Sequence, residues 1–189
     1  MANHIGILVV AATERELAPA GGWRTLTCGI GPVDAACRTA AELARERPLL
    51  VLHVGIAGGR RQAALAPPSL VIGTESRYCD LSVATEWAPS TIAAPAELIV
   101  AARRALPAAL ALTIGTSAHV GGTSGCDVEA MEGFGVLRAA RLAGVPAIEV
   151  RAISNHIEET DRARWHFDAA FSAITTATPL LVAELARIL

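Results

Sequence analysis

Short, wholly apolar runs that stop at glycine or a charged residue alternate along this chain with longer Ala-, Leu- and Arg-rich stretches. No other feature restricts the fold as much. Apolar runs without polar alternation belong to strands buried on both faces, and the stretches between them have helical length. The pattern predicts strands over residues 6–11, 25–28, 49–54, 69–76, 109–117 and 147–154. It predicts helices over 32–46, 95–105, 130–143 and 167–188. Pro32 and Pro95 stand at first helical positions, where the N–H they lack has no helical partner. Gly144 and Pro146 stop the third helix. Glycine-rich loops at 29–31 and 55–59 follow two strands and let backbone approach a ligand closely. These readings imply a single three-layer α/β/α domain over residues 1–189, with a central mixed, twisted sheet and a site at its carboxyl edge.

Composition narrows the function. All 16 Lys-or-Arg positions are arginine, they are scattered, and the net charge is -2. A nucleic-acid face or a basic membrane patch is therefore not expected. Aromatic residues make up 4%, too few for base-stacking platforms. Cys28, Cys37, Cys79 and Cys126 form no CxxC pair and read as free thiols of a cytoplasmic protein. His4, His53, His119, His156 and His166 lack metal-ligand spacing, so neither a metal nor another cofactor is implied. The apolar run at 5–12 has no preceding basic residue and is followed at once by Glu14, Arg15 and Glu16, the reverse of a secretory signal. No uninterrupted apolar stretch reaches the roughly 20 residues of a membrane helix. Gly29-Ile30-Gly31 after a strand invites a dinucleotide reading, but Asp34 stands where the third glycine belongs.

Chemistry-bearing residues gather at strand ends. Glu16 follows the first strand and could take a proton from water as a general base, or be only an acidic first turn. Glu132, in Glu129-Ala130-Met131-Glu132-Gly133, could accept from two vicinal sugar hydroxyls or be a solvated helix start, as Glu129 could. Arg151 interrupts an otherwise apolar strand and needs a partner, because a buried unpaired charge is very unfavourable. With period two it shares a face with Glu149, Ile153 and Asn155. A Glu149–Arg151 pair and an Arg facing a catalytic water are both open at this point.

In order along nearly the whole chain, these segments resemble the purine nucleoside phosphorylase and nucleosidase superfamily. They are Ala11 to Glu16, Gly29 to Val33, Gly55 to Gly59, Ile72 to Asp80, Met131-Glu132-Gly133 and Val150 to Asn155. Within it, Glu129 to Gly133, Glu149 to Asn155 and Asp161 to Trp165 are similar to futalosine hydrolase, an enzyme of menaquinone biosynthesis. The resemblance implies Glu16 as base, Glu132 as ribose clamp, Ser76 and Arg151 holding the water, and Asn155 facing the purine. Met131, Ala57 and Gly58 would line the pocket of a small-molecule nucleoside substrate. A homodimer or higher homo-oligomer is implied as well. Methylthioadenosine nucleosidases carry an acid where Asn155 stands and a glutamate where Ala130 stands. This chain is also trimmed between Leu17 and Thr25.

The asparagine bears on which purine leaves. Departing adenine presents two donors side by side, its 6-amino group and N7–H, which a carboxylate answers. Departing hypoxanthine presents the O6 acceptor beside the N7–H donor, and one amide answers both. The discrimination lies in the transition state, where N7 gains its proton. The substrate's aryl carboxylate calls for a cation, with Arg162 and Arg164 beside Trp165 as candidates. The rivals are a phosphorylase using Arg60, Arg61 and Arg77, a methylthioadenosine nucleosidase, and a nucleoside-binding protein without catalysis.

Overall fold

The computed structural model describes residues 6–121 and 125–189. His4 and Ile5, used above in reading the N-terminus, lie outside the described residues. One eight-stranded mixed sheet contains β1 (Ile7–Ala11), β2 (Arg24–Thr27), β3 (Leu50–Gly59), β4 (Leu70–Tyr78), β5 (Thr91–Ala93), β6 (Leu110–Thr116), β7 (Val128–Ala130) and β8 (Ala147–His156). β1 lies parallel between β2 and β3, and β3 runs parallel to β8. β4 is antiparallel to β5 and β8 and parallel to β6. β7 is parallel to β6 and antiparallel to β3. Because β8 bonds both β3 and β4, and β3 reaches β4 again through β7 and β6, these five strands close into a ring.

Four helices flank the sheet among the described residues: α1 (Pro32–Arg45), α2 (Ala96–Ala105), α3 (Gly133–Leu142) and α4 (Phe167–Ala186). α1 packs with α3, and α2 packs with α4, giving the three expected layers. α4 has the length and apolarity to cross a membrane by composition alone. Its Ala170, Ile174, Ala177, Leu181 and Leu185 recur at helical spacing and are buried against the sheet and α2.

The elements depart from expectation where ligands would bind. Residues 55–59, read as a loop, continue β3, because β8 and β7 supply bonding partners on both sides. The third helix starts at Gly133, with Glu132 as its N-cap, since residues 128–130 are drawn into β7. Pro95 likewise caps α2 and does not open it. β5 and β7 have three residues each, too short to show a period.

Alternation along β3 and β8 sets up the site. Leu50, Leu52, Val54, Ile148, Val150 and Ala152 face the α2–α4 core. His53, Glu149 and Arg151 consequently project to the opposite face, under the start of α3. A register shift between Ala57 and Gly58 then brings Asn155 opposite Gly58.

Candidate active site

Glu16 closes the single 3-10 turn after β1 and folds inward, 4% exposed. Its Oε2 accepts from the Thr13 N–H at 2.9 Å and the Thr13 hydroxyl at 2.8 Å. Its Oε1 accepts from the Ile56 N–H at 3.1 Å. A carboxylate offers about two acceptor positions on each oxygen. Oε2 is therefore filled, and Oε1 has one position left. The side chain is pinned between β1 and β3 and does not serve as a solvated first turn.

Arg151 is wholly buried and accounts for most of its donors. Nε donates to Glu149 Oε1 at 2.8 Å. Nη2 donates to His53 Nε2 at 2.5 Å and to Glu132 Oε2 at 3.4 Å. Nη1 donates to the Ile56 carbonyl at 3.4 Å. Of five guanidinium N–H groups, one on Nη1 remains. Both atoms lie against Gly55, where any Cβ would run into Arg151 Nη1 and Glu16 Oε1. No ion pair joins these two residues among the described contacts, so a water between them would find an acceptor on one side and a donor on the other.

The layer beneath is polar and buried. Burial raises the Glu149 carboxyl above its usual range, against the pull of Arg151. The Ser76 hydroxyl bonds Thr116 at 3.1 Å and lies close to that carboxylate. Gly133 is required here, since a side chain would overlap the Glu149 carboxylate at the start of α3. Burial first, and Arg151 second, hold the His53 imidazole well below its usual range. Glu132, at the N-cap of α3, accepts from the Gly31 N–H at 3.0 Å, which ties the first glycine turn to the site.

Above this floor is a cavity of about 630 Å³. Glu16, Glu132, Met131, Ala57, Gly58 and Asn155 line it together. Asn155 donates one Nδ2 hydrogen to the His156 carbonyl at 2.9 Å and accepts from the Ser154 hydroxyl at 2.8 Å on Oδ1. One N–H and one lone pair of the amide stay open. Gly58 keeps the space beside that amide clear. At the outer end, Trp165 and Phe167 lie 5.4 Å apart, and Phe167 stacks on Phe171 at 6.2 Å. Arg162 sits 5.7 Å over Trp165, and Arg15 sits 4.4 Å over Phe171.

Other sequence-derived candidates are placed elsewhere. Arg151 is fully buried and does not line the cavity, but it reaches Glu132, which does, at 3.4 Å. Ser76 lies one layer deeper, on Glu149 and Thr116, and not on the wall. Arg164 points outward to Glu159 and Asp161, its side chain 73% exposed. Arg60 bonds the Cys126 carbonyl, Arg61 lies by Glu159, and Arg77 pairs with Glu75, so none of the three lines the cavity. Four carboxylates (Glu16, Glu129, Glu132 and Glu159) line it beside one arginine, Arg162. Sequence reasoning took Glu129, which sits in β7 and accepts from the Gly121 N–H at 3.1 Å, for a solvated helix start. It passed over Phe167 and Phe171, although their i, i+4 spacing at the start of α4 marks one face. Among the described residues, no group of three or more His, Cys, Asp or Glu side chains is arranged to hold a metal ion.

No family model matches the chain. It is 37% identical over 182 residues to the futalosine hydrolase of Streptomyces coelicolor, covering 82% of this chain and 77% of that protein. It is 32% identical over 192 residues to the futalosine hydrolase of Thermus thermophilus, covering 86% and 82%. Among solved structures it is similar to the futalosine hydrolase of Helicobacter pylori, with a TM-score of 0.79, 16% identity and coverage of 96% and 97%. A 5'-methylthioadenosine/S-adenosylhomocysteine nucleosidase of Neisseria meningitidis, in complex with methylthio-immucillin-A, gives a TM-score of 0.77, 24% identity and coverage of 97% and 99%. These two structures establish a shared nucleosidase fold.

Proposed function

This chain belongs to the futalosine hydrolase family, and we propose that it cleaves the N-glycosidic bond of futalosine with water, releasing hypoxanthine in menaquinone biosynthesis. The observation that carries the mechanism is that Glu16 Oε1 and Arg151 Nη1, each with one hydrogen-bonding position unfilled, both lie against the same glycine, Gly55. A water held there has its proton directed at Glu16 Oε1 and its oxygen lone pair free for the anomeric carbon. Glu16 takes the proton as the C–O bond forms and the C–N bond breaks; the C–N electron pair leaves with hypoxanthine, whose N7 takes its proton from solvent. Positive charge develops on the sugar, as in other glycoside cleavages. The cluster of Glu16, Glu132 and Glu129 lowers its energy without moving.

Glu132 accepts from the ribose hydroxyls, and Ala57, Gly58 and Met131 shape the nucleoside pocket. The open N–H of Asn155 meets O6, and its open lone pair meets N7–H. Ser76 supports the site through Glu149. Trp165, Phe167 and Phe171 form a face for the aryl group, with Arg162 placed for its carboxylate. The carboxylate-rich lining favours water over phosphate as nucleophile, since a phosphate dianion needs several cationic donors. The four free cysteines fit a cytoplasmic setting. We place a homodimer contact at the cavity rim, where Ile30 is 65% and Val120 51% exposed.

The test is incubation with futalosine, inosine and methylthioadenosine, with and without phosphate, followed by identification of the free base. Phosphate-independent release of hypoxanthine, fastest from futalosine, is expected. Phosphate-dependent turnover, or adenine as the preferred product, overturns the reading.

A further inference from the structure

Arg151 has one unusual neighbour. Three carboxylates, Glu149, Glu132 and Glu16, face its charge, yet its shortest bond goes to a neutral ring, His53. The ring sits in β3 with no exposed surface and opposite Glu149 in register. Its Nδ1 is 3.0 Å from the Val10 carbonyl oxygen, and its Nε2 is 2.5 Å from Arg151 Nη2. The carbonyl can only accept and the guanidinium can only donate. These two partners leave a single arrangement of protons, with hydrogen on Nδ1 and a bare lone pair on Nε2.

Resting on the hydrolase reading above, we propose that His53 is a positioning residue. Its unprotonated Nε2 rotates the Arg151 guanidinium so that the one uncommitted Nη1 hydrogen points over Gly55 at the water beside Glu16. A neutral acceptor suits this task. A fourth carboxylate would shift the cluster further toward negative charge, whereas imidazole fixes the cation's orientation and leaves its charge available to the water. The Val10 carbonyl, on the strand that leads into Glu16, links the ring to the same turn.

Two amides separate this role from packing. Gln places an acceptor near the position of Nε2 and loses the Val10 bond; Asn keeps a donor near Nδ1 and loses the reach to Arg151. Each forfeits one buried hydrogen bond, so a packing role predicts that both lose activity in step with thermal stability. Positioning predicts that His53→Gln stays within about 5-fold of the parent kcat. His53→Asn should fall about 100-fold in kcat with KM for futalosine nearly unchanged, the effect of a misdirected catalytic group. Equal kcat in the two variants overturns the proposal. If the parent protein itself releases no hypoxanthine from futalosine, the hydrolase reading is what fails. Nitrogen NMR of the unmutated protein at neutral pH supplies a measurement independent of variant folding. It should find His53 protonated on Nδ1 and bare on Nε2; an Nε2–H tautomer or an imidazolium overturns the proposal.

Discussion

Replacing Asn155 with Asp should move the enzyme's preference from hypoxanthine toward adenine. Asn155 Nδ2 has two hydrogens, one committed to the His156 carbonyl, and Oδ1 holds one bond from Ser154. The amide therefore offers the purine one donor and one acceptor. A carboxylate offers two acceptors. Against hypoxanthine it leaves O6 facing an oxygen, and an unpaired buried polar group is worth about 1–3 kcal/mol, or roughly 5- to 150-fold. Against adenine it gains a partner for the 6-amino group by a similar amount. The ratio of kcat/KM for futalosine over methylthioadenosine should thus fall by roughly 25- to 2 × 10⁴-fold, the two effects multiplying. Competition between the two nucleosides, with hypoxanthine and adenine separated by chromatography, reads that ratio directly. The lost donor to His156 weakens folding equally for both substrates and cancels. An unchanged ratio would refute the assignment of the purine's 6-position to this side chain.

Other substitutions probe the outer pocket and the buried thiol. Arg162→Ala should raise KM for futalosine about 10-fold and leave inosine unaffected, while Arg164→Ala, outside the cavity lining and exposed, should change neither; equal effects of Arg162→Ala on both substrates would remove it from the aryl carboxylate. Cys28 is buried, with Glu132 close by, and its thiol is pushed from 9.0 up to about 12. Above pH 9 the unfolded chain loses this proton and the folded chain keeps it, so stability should fall toward pH 12 by up to about 1.4 kcal/mol per pH unit. Urea unfolding at pH 8.5 and 10.5 should show a smaller alkaline loss in Cys28→Ala than in the parent.

What the sequence revealed depended on contrast. Arg151 stood out because it broke an apolar strand, Glu16 and Asn155 because they ended one, and Glu132 because it opened a helix. His53 breaks the strand over 49–54 in the same way, and the register that sets it opposite Glu149 is a tertiary fact. Glu129 was read as the start of a helix because β7, with three residues, is recognisable only once β3 and β6 flank it. Depth was illegible too. Period two assigns Ser76 a face, but whether that face reaches the cavity depends on Glu149 and the start of α3 lying above it. The resemblance implies Ser76 and Arg151 as holders of the water; the structure sets Ser76 one layer deeper and leaves one Arg151 donor uncommitted. Arg162 and Arg164 were equal candidates by spacing, and only the turn Arg162–Arg164 separates the one over Trp165 from the one facing Glu159.

In the proposed mechanism Glu16 withdraws a proton from the attacking water. Glu16→Gln preserves the size of the side chain, and its carbonyl oxygen can still accept from Ile56 while the basic oxygen is lost. With saturating futalosine, the rate of hypoxanthine release should drop by about 10²- to 10⁴-fold, with KM changed far less. Hypoxanthine release at the parent rate in this variant would contradict the account.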